Sequence, residues 1–354
     1  MNCTTLILNI GESNYKDSIS KAVHILKQGG TVAFPTETVY GLGADALNPV
    51  AVRKIFEAKG RPADNPLIVH IASIDTLDTI AEDIPPVAFE LMGAFWPGPL
   101  TLVLRRKNTV PDITTGGLNT VAVRMPDNPV ALALIREAGM PLAAPSANTS
   151  GRPSPTTAGH VMSDLSGRID AVIDGGAVEV GVESTVLDVT SDVPVILRPG
   201  GVGVEDIRKH VGEVLIGYTD VEVGEGEVVR SPGMKYTHYS PDTRVILVEG
   251  ESAVVRAKIS ELVESYSKKN MRAGLLITDE TAEYVHADKM YSLGRRNEPE
   301  DAARNLFAGL RYLDGRNAGI NVDVIIVDGS VKREGVGAAV LNRLRKAADE
   351  LVEV

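Results

Sequence analysis

The sequence predicts an α/β protein in two parts. Residues 1–212 read as a mixed, twisted sheet with helices, and 243–354 as a smaller three-layer α/β domain with a largely parallel sheet. Three observations carry this reading. From Thr31 onward, short β-branched and apolar runs alternate with helical stretches. In the first part some of these runs succeed each other with no helix between them, which a purely parallel sheet does not allow. Between about Gly212 and Asp242 the periodicity fails. The stretch VEVGEGEVVRSPGMKYTHYSPD is acidic and glycine-rich, then rich in Pro, Tyr and His, and reads as a linker over 213–242. A length of 354 residues agrees, because single cores seldom exceed roughly 250–300 residues.

In the first part TVAFPT (31–36) is a buried strand. Asn48-Pro49 starts a helix with an N-cap and a proline at its first position, and Gly60 ends it. PLIVHI (66–71) reads as strand, Pro85 to Phe95 as helix, and PLTLVLRR (99–106) and TVAVRM (120–125) as strands. Asn128-Pro129 repeats the helix start. PLAAPS (141–146) is an inner strand, Thr157 begins a short helix, and AVIDGG, STVLDVT and PVILRPG complete the set. After the linker, RVILVEG, RAGLLITDE and VDVIIVDGS alternate with helices from Ser252, Glu298 and Gly337.

Composition narrows the function. With 36 Lys plus Arg against 47 Asp plus Glu, the net charge of −11 speaks against broad nucleic-acid binding but not against a local basic cleft. No apolar run approaches the roughly 20 residues of a membrane span. MNCTTLILNIGES has neither a basic start nor a small-residue cleavage site, and Cys3 is the only cysteine, so a cytoplasmic protein is expected. The six histidines are scattered, without metal-cage spacing, and no nucleophile-elbow serine is present.

What remains is cations, hydroxyls and amides at strand ends. In AKGRPADNPLIVH, Lys59 and Arg61 flank a glycine on a loop stiffened by Pro62 and Pro66, a design suited to holding an anion. In APSANTSGRPSPT, Ser146 and Asn148 end an apolar strand. Short polar side chains there suit phosphate or sugar oxygens, although Ser and Asn bonding within a turn is an equal reading of this loop. In ILRPGGVGVEDI, Arg198 ends a strand before a glycine-rich turn, a weak anion signal beside a plain strand-to-helix turn. Thr36, Glu37, Thr38 and Tyr40, Arg124, and Glu183 with Ser184 and Thr185 also sit at strand ends, where α/β sheets bind ligands. His70 lies in an apolar strand, where a satisfied core histidine is an equal reading. Such a set stabilises charge at phosphate better than it performs covalent catalysis.

KGRP (59–62) and SAN (146–148) resemble the Lys-x-Arg and Ser-x-Asn signature of the YrdC-like L-threonylcarbamoyladenylate synthases. PTETVYGLG, FWPGPLT, the Arg124 strand and ESTVLD resemble that family's blocks, in its order, over about Asn9 to Val211. The SPGMKYTHYSP linker and the α/β domain after it resemble the long form, a YrdC-like twisted mixed sheet with a smaller Rossmann-like α/β C-terminal domain. The resemblance implies that L-threonine, bicarbonate and ATP give threonylcarbamoyl-AMP and pyrophosphate. The product serves threonylcarbamoyladenosine modification at position 37 of tRNAs that read codons starting with A, through a downstream threonylcarbamoyl transferase. Direct tRNA binding is not implied.

By the same resemblance Lys59, Arg61, Ser146 and Asn148 carry catalysis at the nucleotide phosphates, and Asn65, Thr120, Ser154 and Arg198 also bind ATP; Tyr236 joins the ATP set through the expected fold of the linker. Thr38, His70, Arg124, Ala144 (through its backbone) and Ser184 bind threonine. Magnesium is expected beside ATP, with no protein ligand assigned. Two other classes stay open: a double-stranded RNA-binding module, and a carbamoyltransferase-like enzyme, whose zinc-finger cysteines are missing here. The linker, with prolines at 232 and 241, is expected to fold over the cleft as a lid, Tyr236 reaching the phosphates while His238 and Tyr239 close it. Packing of the two domains is its plainer role.

Overall fold

A twelve-stranded mixed sheet runs through the first part of the chain in the computed structural model, which describes residues 4–11, 13–218, 239–314 and 322–354. From edge to edge its strands are Leu6–Asn9, Ala171–Asp174, Val32–Phe34, Gly41–Asp45, Leu142–Ala143, Ile68–His70, Thr120–Arg124, Leu100–Arg106, Thr185–Asp188, Val195–Arg198 and Leu215–Ile216. Ala81–Glu82 pairs with Leu100–Arg106 off that path. Parallel and antiparallel pairings intermix, as strands joined without helices require.

Helix boundaries follow local chemistry. Asn48 Oδ1 accepts from the amides of Val50 and Ala51 at 3.0 and 3.3 Å, Pro49 opens helix Pro49–Lys59, and Gly60 closes it at φ 62°. Asn128 does the same for helix Pro129–Ala138, closed by Gly139 at φ 70°. That helix and Tyr15–Lys27 cover one sheet face through Ile19, Leu26, Leu134 and Ile135. Pro49–Lys59 and Pro86–Phe95 cover the other through Val52, Ile55 and Leu91.

Strand Leu6–Asn9 and helix Tyr15–Lys27 precede Thr31, where the alternation of strand and helix first becomes legible in the sequence. The expected strand PLAAPS pairs regularly only over Leu142–Ala143, with a single bridge from Ser146 to Gly41, because Pro141 and Pro145 bring no N–H to the ladder.

The second sheet is wholly parallel, in the order Lys289–Gly294, Ala273–Thr278, Val324–Asp328, Arg244–Glu249, Glu350–Glu353. Helices Ser252–Lys268 and Asp279–Ala282 cover one face, Pro299–Leu313 and Gly337–Ala347 the other. The latter pair also buries Val39, Val182 and Tyr239, so one apolar cluster joins the two parts. Among the described residues no helix is long and apolar enough to cross a membrane.

Candidate active site

Polar side chains gather in a cleft where the ends of the first sheet meet the C-terminal domain. Lys59, the last residue of its helix, is 1% exposed; its Nζ donates to the carbonyls of Ser146 at 2.5 Å and Asn148 at 2.6 Å. Burial, then the charge of Arg61, push this amine well below its ordinary value. Lys59 therefore ties down the Ser146–Asn148 loop from within the cleft wall. Arg61 Nη2 donates to Pro66 O at 3.2 Å across the stiffened loop. The Asn148 amide donates to the carbonyls of Thr149 and Arg152, while its Oδ1 is buried without a partner. Self-bonding in the turn and an unpartnered buried acceptor thus coexist in one side chain.

Across the cleft, Arg124 ends its strand 3% exposed. Nη1 donates to Thr38 Oγ1 at 2.9 Å, Nε to Gly98 O at 3.2 Å, and Nη2 lies 2.6 Å from Glu37 Oε1 without hydrogen-bond alignment. Thr36 Oγ1 lies 2.8 Å from Thr38 Oγ1 and donates to Val39 O. Arg198 donates to Ser184 O and Oγ at 2.9 and 3.2 Å, and Ser184 Oγ sits 2.7 Å from Thr101 Oγ1. Burial lowers Arg198 to about 10, which leaves it a cation near neutrality. Among the described residues five cations, Lys59, Arg61, Arg124, Arg152 and Arg198, line the cleft against the single carboxylate of Glu183. Glu37 and Asp314 partly offset Arg124 and Arg152 behind this lining, and in a chain of charge −11 the cleft still concentrates cations, an arrangement suited to anions.

His70 faces the cleft, edge-on to Phe34 at 6.2 Å, with Nδ1 3.3 Å from Ile68 O. Burial, then Arg124, lower its imidazole to about 3; burial, then Arg311, lower His160 to about 4. Both are neutral in the folded protein near pH 7. Between about pH 6.5 and these values the unfolded chain takes up protons that the folded chain refuses, so stability is full above that range and falls as pH drops. For the buried His70 each pH unit costs about 1.4 kcal/mol. Urea unfolding of His70→Asn from about pH 7 to 4 is expected to show a shallower loss than wild type, by roughly one proton. Parallel curves would show that His70 is not held neutral.

The cleft is reached from the C-terminal domain by arginine–carboxylate contacts. Arg311 pairs with Asp164 at 2.8 Å and donates to Pro153 O, Arg152 pairs with Asp314 at 2.9 Å, and Arg343 pairs with Glu183 at 3.0 Å.

The chain matches the Sua5/YciO/YrdC family profile, described as "Telomere recombination", over residues 24–200, and the profile "Threonylcarbamoyl-AMP synthase, C-terminal domain" over 202–349. A threonylcarbamoyl-AMP synthase of Pyrococcus abyssi is 49% identical, over 97% of this chain and 98% of its own. One of Bacillus subtilis is 49% identical over 93% and 92%. This chain belongs to the threonylcarbamoyl-AMP synthase family. The crystal structure of P. abyssi Sua5 complexed with L-threonine superposes on it with a TM-score of 0.92 at 48% identity, covering 99% of this chain and 100% of that one. The chain is thus an enzyme of the nucleotidyl-transferring kind, with the two-part α/β architecture of its family.

Of the residues assigned to substrates by resemblance, Lys59, Arg61, Ser146, Asn148 and Arg198, and Thr38, His70, Arg124, Ala144 and Ser184, line the synthase cleft. Asn65, Thr120 and Ser154 do not. Asn65 is buried with Oδ1 unpartnered, Thr120 opens the strand that Arg124 ends, and Ser154 donates to Glu183 Oε1 at 2.6 Å. Tyr236 and His238 lie outside the described residues. Tyr239 lies within them: it lines the cleft 5% exposed and stacks on Phe307 at 5.3 Å. Sequence reasoning gave Glu183 no specific role and did not foresee Arg311 or Arg343, each sharing its helix with at least one other cation and with no local signal to single it out.

Proposed function

We propose that this protein makes threonylcarbamoyl-AMP from L-threonine, bicarbonate and ATP, releasing pyrophosphate. The observation that carries the reading is the positively charged cleft, in a chain whose full-length relatives are synthases. The threonine amine adds to carbon dioxide derived from bicarbonate, and the resulting carbamate oxygen attacks the α-phosphorus while the bond to the β-phosphate oxygen breaks. No enzyme nucleophile is required. Three anions must be held together against their repulsion, which preorganised cations supply.

In this reading Arg124, whose planar fork suits a carboxylate, and Thr38 hold threonine, with Ser184 and the Ala144 backbone beside them. Arg61 and Arg198 face the phosphates, and Lys59 keeps Ser146 and Asn148 aimed at them. Ser154, Asn65 and Thr120 are retained for ATP on the resemblance alone, and Tyr236 on the composition of the linker. Magnesium has no protein cage here. Among the described residues no three His, Cys, Asp or Glu side chains gather, and Glu183 is engaged by Ser154 and Arg343. We therefore place the ion with the nucleotide's own phosphates. The product would pass to the transferase that modifies tRNA, in the cytoplasm. Cations set deep in a cleft suit a small anion better than a duplex, which weighs against the RNA-binding reading.

Pyrophosphate release is expected to need both L-threonine and bicarbonate. Serine should be poorer by about 1–3 kcal/mol, the worth of one methyl contact. Equal release without an amino acid would end this reading.

A further inference from the structure

Arg343 brings the C-terminal domain against the wall of the synthase cleft, through Glu183, which lines it. It lies on helix Gly337–Ala347 with 0% exposure. Its Nε donates to Glu183 Oε2 at 3.0 Å, and its Nη1 to Pro199 O at 2.6 Å and Asn342 Oδ1 at 3.2 Å. Glu183 immediately precedes Ser184, and Pro199 immediately succeeds Arg198. The other oxygen of Glu183 accepts from Ser154 Oγ at 2.6 Å, and Arg198 donates back to Ser184. One guanidinium thus fixes the chain beside three residues assigned to substrates. The Tyr239 ring, 5.7 Å from the guanidinium and stacked on Phe307, packs this junction.

We propose that Arg343 is a positioning residue for the synthase reaction, locking Glu183 and Pro199 so that Ser154, Ser184 and Arg198 stand in register and docking of the C-terminal domain sets both substrate subsites. The inference rests on the substrate assignment above. An arginine is needed because its rigid fork reaches a carboxylate and a carbonyl on two separate strand ends at once, whereas a lysine ammonium holds a point. Burial keeps the contact unscreened: burial alone would raise the Glu183 carboxyl, but Arg343 and then Arg198 hold it below its ordinary value. Arg345, two residues on, is the internal comparison. It pairs with Glu249 inside its own domain, whereas Arg343 reaches Glu183 and Pro199.

The test compares full-length Arg343→Lys, Arg343→Met, Glu183→Gln and Arg345→Met in threonine-dependent pyrophosphate release, beside circular dichroism and thermal unfolding. Folded Arg343→Lys is expected to lose roughly 10–100-fold in kcat/KM, with KM raised for ATP and for threonine together. Adding Glu183→Gln to it should cost little more, because both changes break the same contact. Arg345→Met should lower the unfolding temperature and leave both KM values alone. If the Arg343 variants do not fold, Glu183→Gln decides, and it too should raise both KM values. Wild-type constants in a folded Arg343→Lys or Glu183→Gln, or additive losses when the two are combined, would overturn the proposal. So would unfolding of all the Arg343 and Glu183 variants, since the arginine would then only hold the domains together. A wild type without threonine-dependent release would remove the functional reading first and this proposal with it.

Discussion

Arg61→Ala is expected to lower the pyrophosphate-releasing turnover by about 10²–10³-fold, the usual cost of removing one preorganised donor from a charge-stabilising site. Arg53→Ala should leave it unchanged. The two arginines are close in sequence but differ in physics. Arg53 points to solvent from helix Pro49–Lys59, whereas Arg61 comes after the left-handed Gly60 and lines the cleft, its guanidinium tied to Pro66 O. Gly60 turns the chain sharply after Lys59, whose amine bonds the carbonyls of Ser146 and Asn148, and Arg61 lines the cleft just beyond that turn. The loss should fall mainly on kcat, because charge builds on the leaving pyrophosphate as its bond breaks, and a donor aimed there matters most at that moment. Equal kcat in folded Arg61→Ala and wild type would take Arg61 out of the phosphate site. A loss in Arg53→Ala as large would show that the effect is overall charge and not placement.

Signals that lie within one turn of chain were legible before the structure. The caps at Asn48 and Asn128 could be read because Asx side chains bond their own next amides, and Pro at the first helical position confirms them. The strands ending at Arg124 and Arg198 were legible from β-branched runs, and the cleft residues among them came from motifs in family order. Long-range partners were not. Strand Leu6–Asn9 has its parallel partner at Ala171–Asp174, and nothing in LILN names it. The same holds for Arg343, whose partners lie 160 and 144 residues away. Lys59, read as a phosphate ligand, lines the cleft, and its amine also bonds the carbonyls of Ser146 and Asn148, partners that no local motif names. Asn65 and Thr120 entered by resemblance alone, and the described cleft is not lined by them.

The turn after Arg198 yields the other large expected effect. PGG reads as an ordinary tight turn, in which glycine would be a matter of backbone freedom. The structure gives a different reason. A Cβ on Gly200 would lie 2.2 Å from Ser184 C and Thr185 N and 2.4 Å from Glu183 O. All three are backbone atoms at the start of strand Thr185–Asp188, so no side-chain rotation can relieve the overlap. Gly201 is held in the same approach, its N–H donating to Glu183 O at 3.2 Å. Gly200→Ala must therefore push the turn away from Ser184, stretching the Arg198 bonds to that residue and the reach of Arg343 to Pro199. Overpacking of this kind costs about 1–3 kcal/mol where neighbours can yield, and more where they are backbone. The expected result is a clearly lower unfolding temperature together with weaker threonine binding. Gly93→Ala is the counterpart: that glycine is exposed inside helix Pro86–Phe95 with nothing within 4 Å of an added Cβ, and the change should stabilise by about 0.5–1 kcal/mol. Thermal unfolding and calorimetric titration with threonine check both variants. If Gly200→Ala melts and binds threonine as wild type does, the turn is not clamped against Ser184, and the path from Arg343 through Pro199 to the threonine site loses its rigid link.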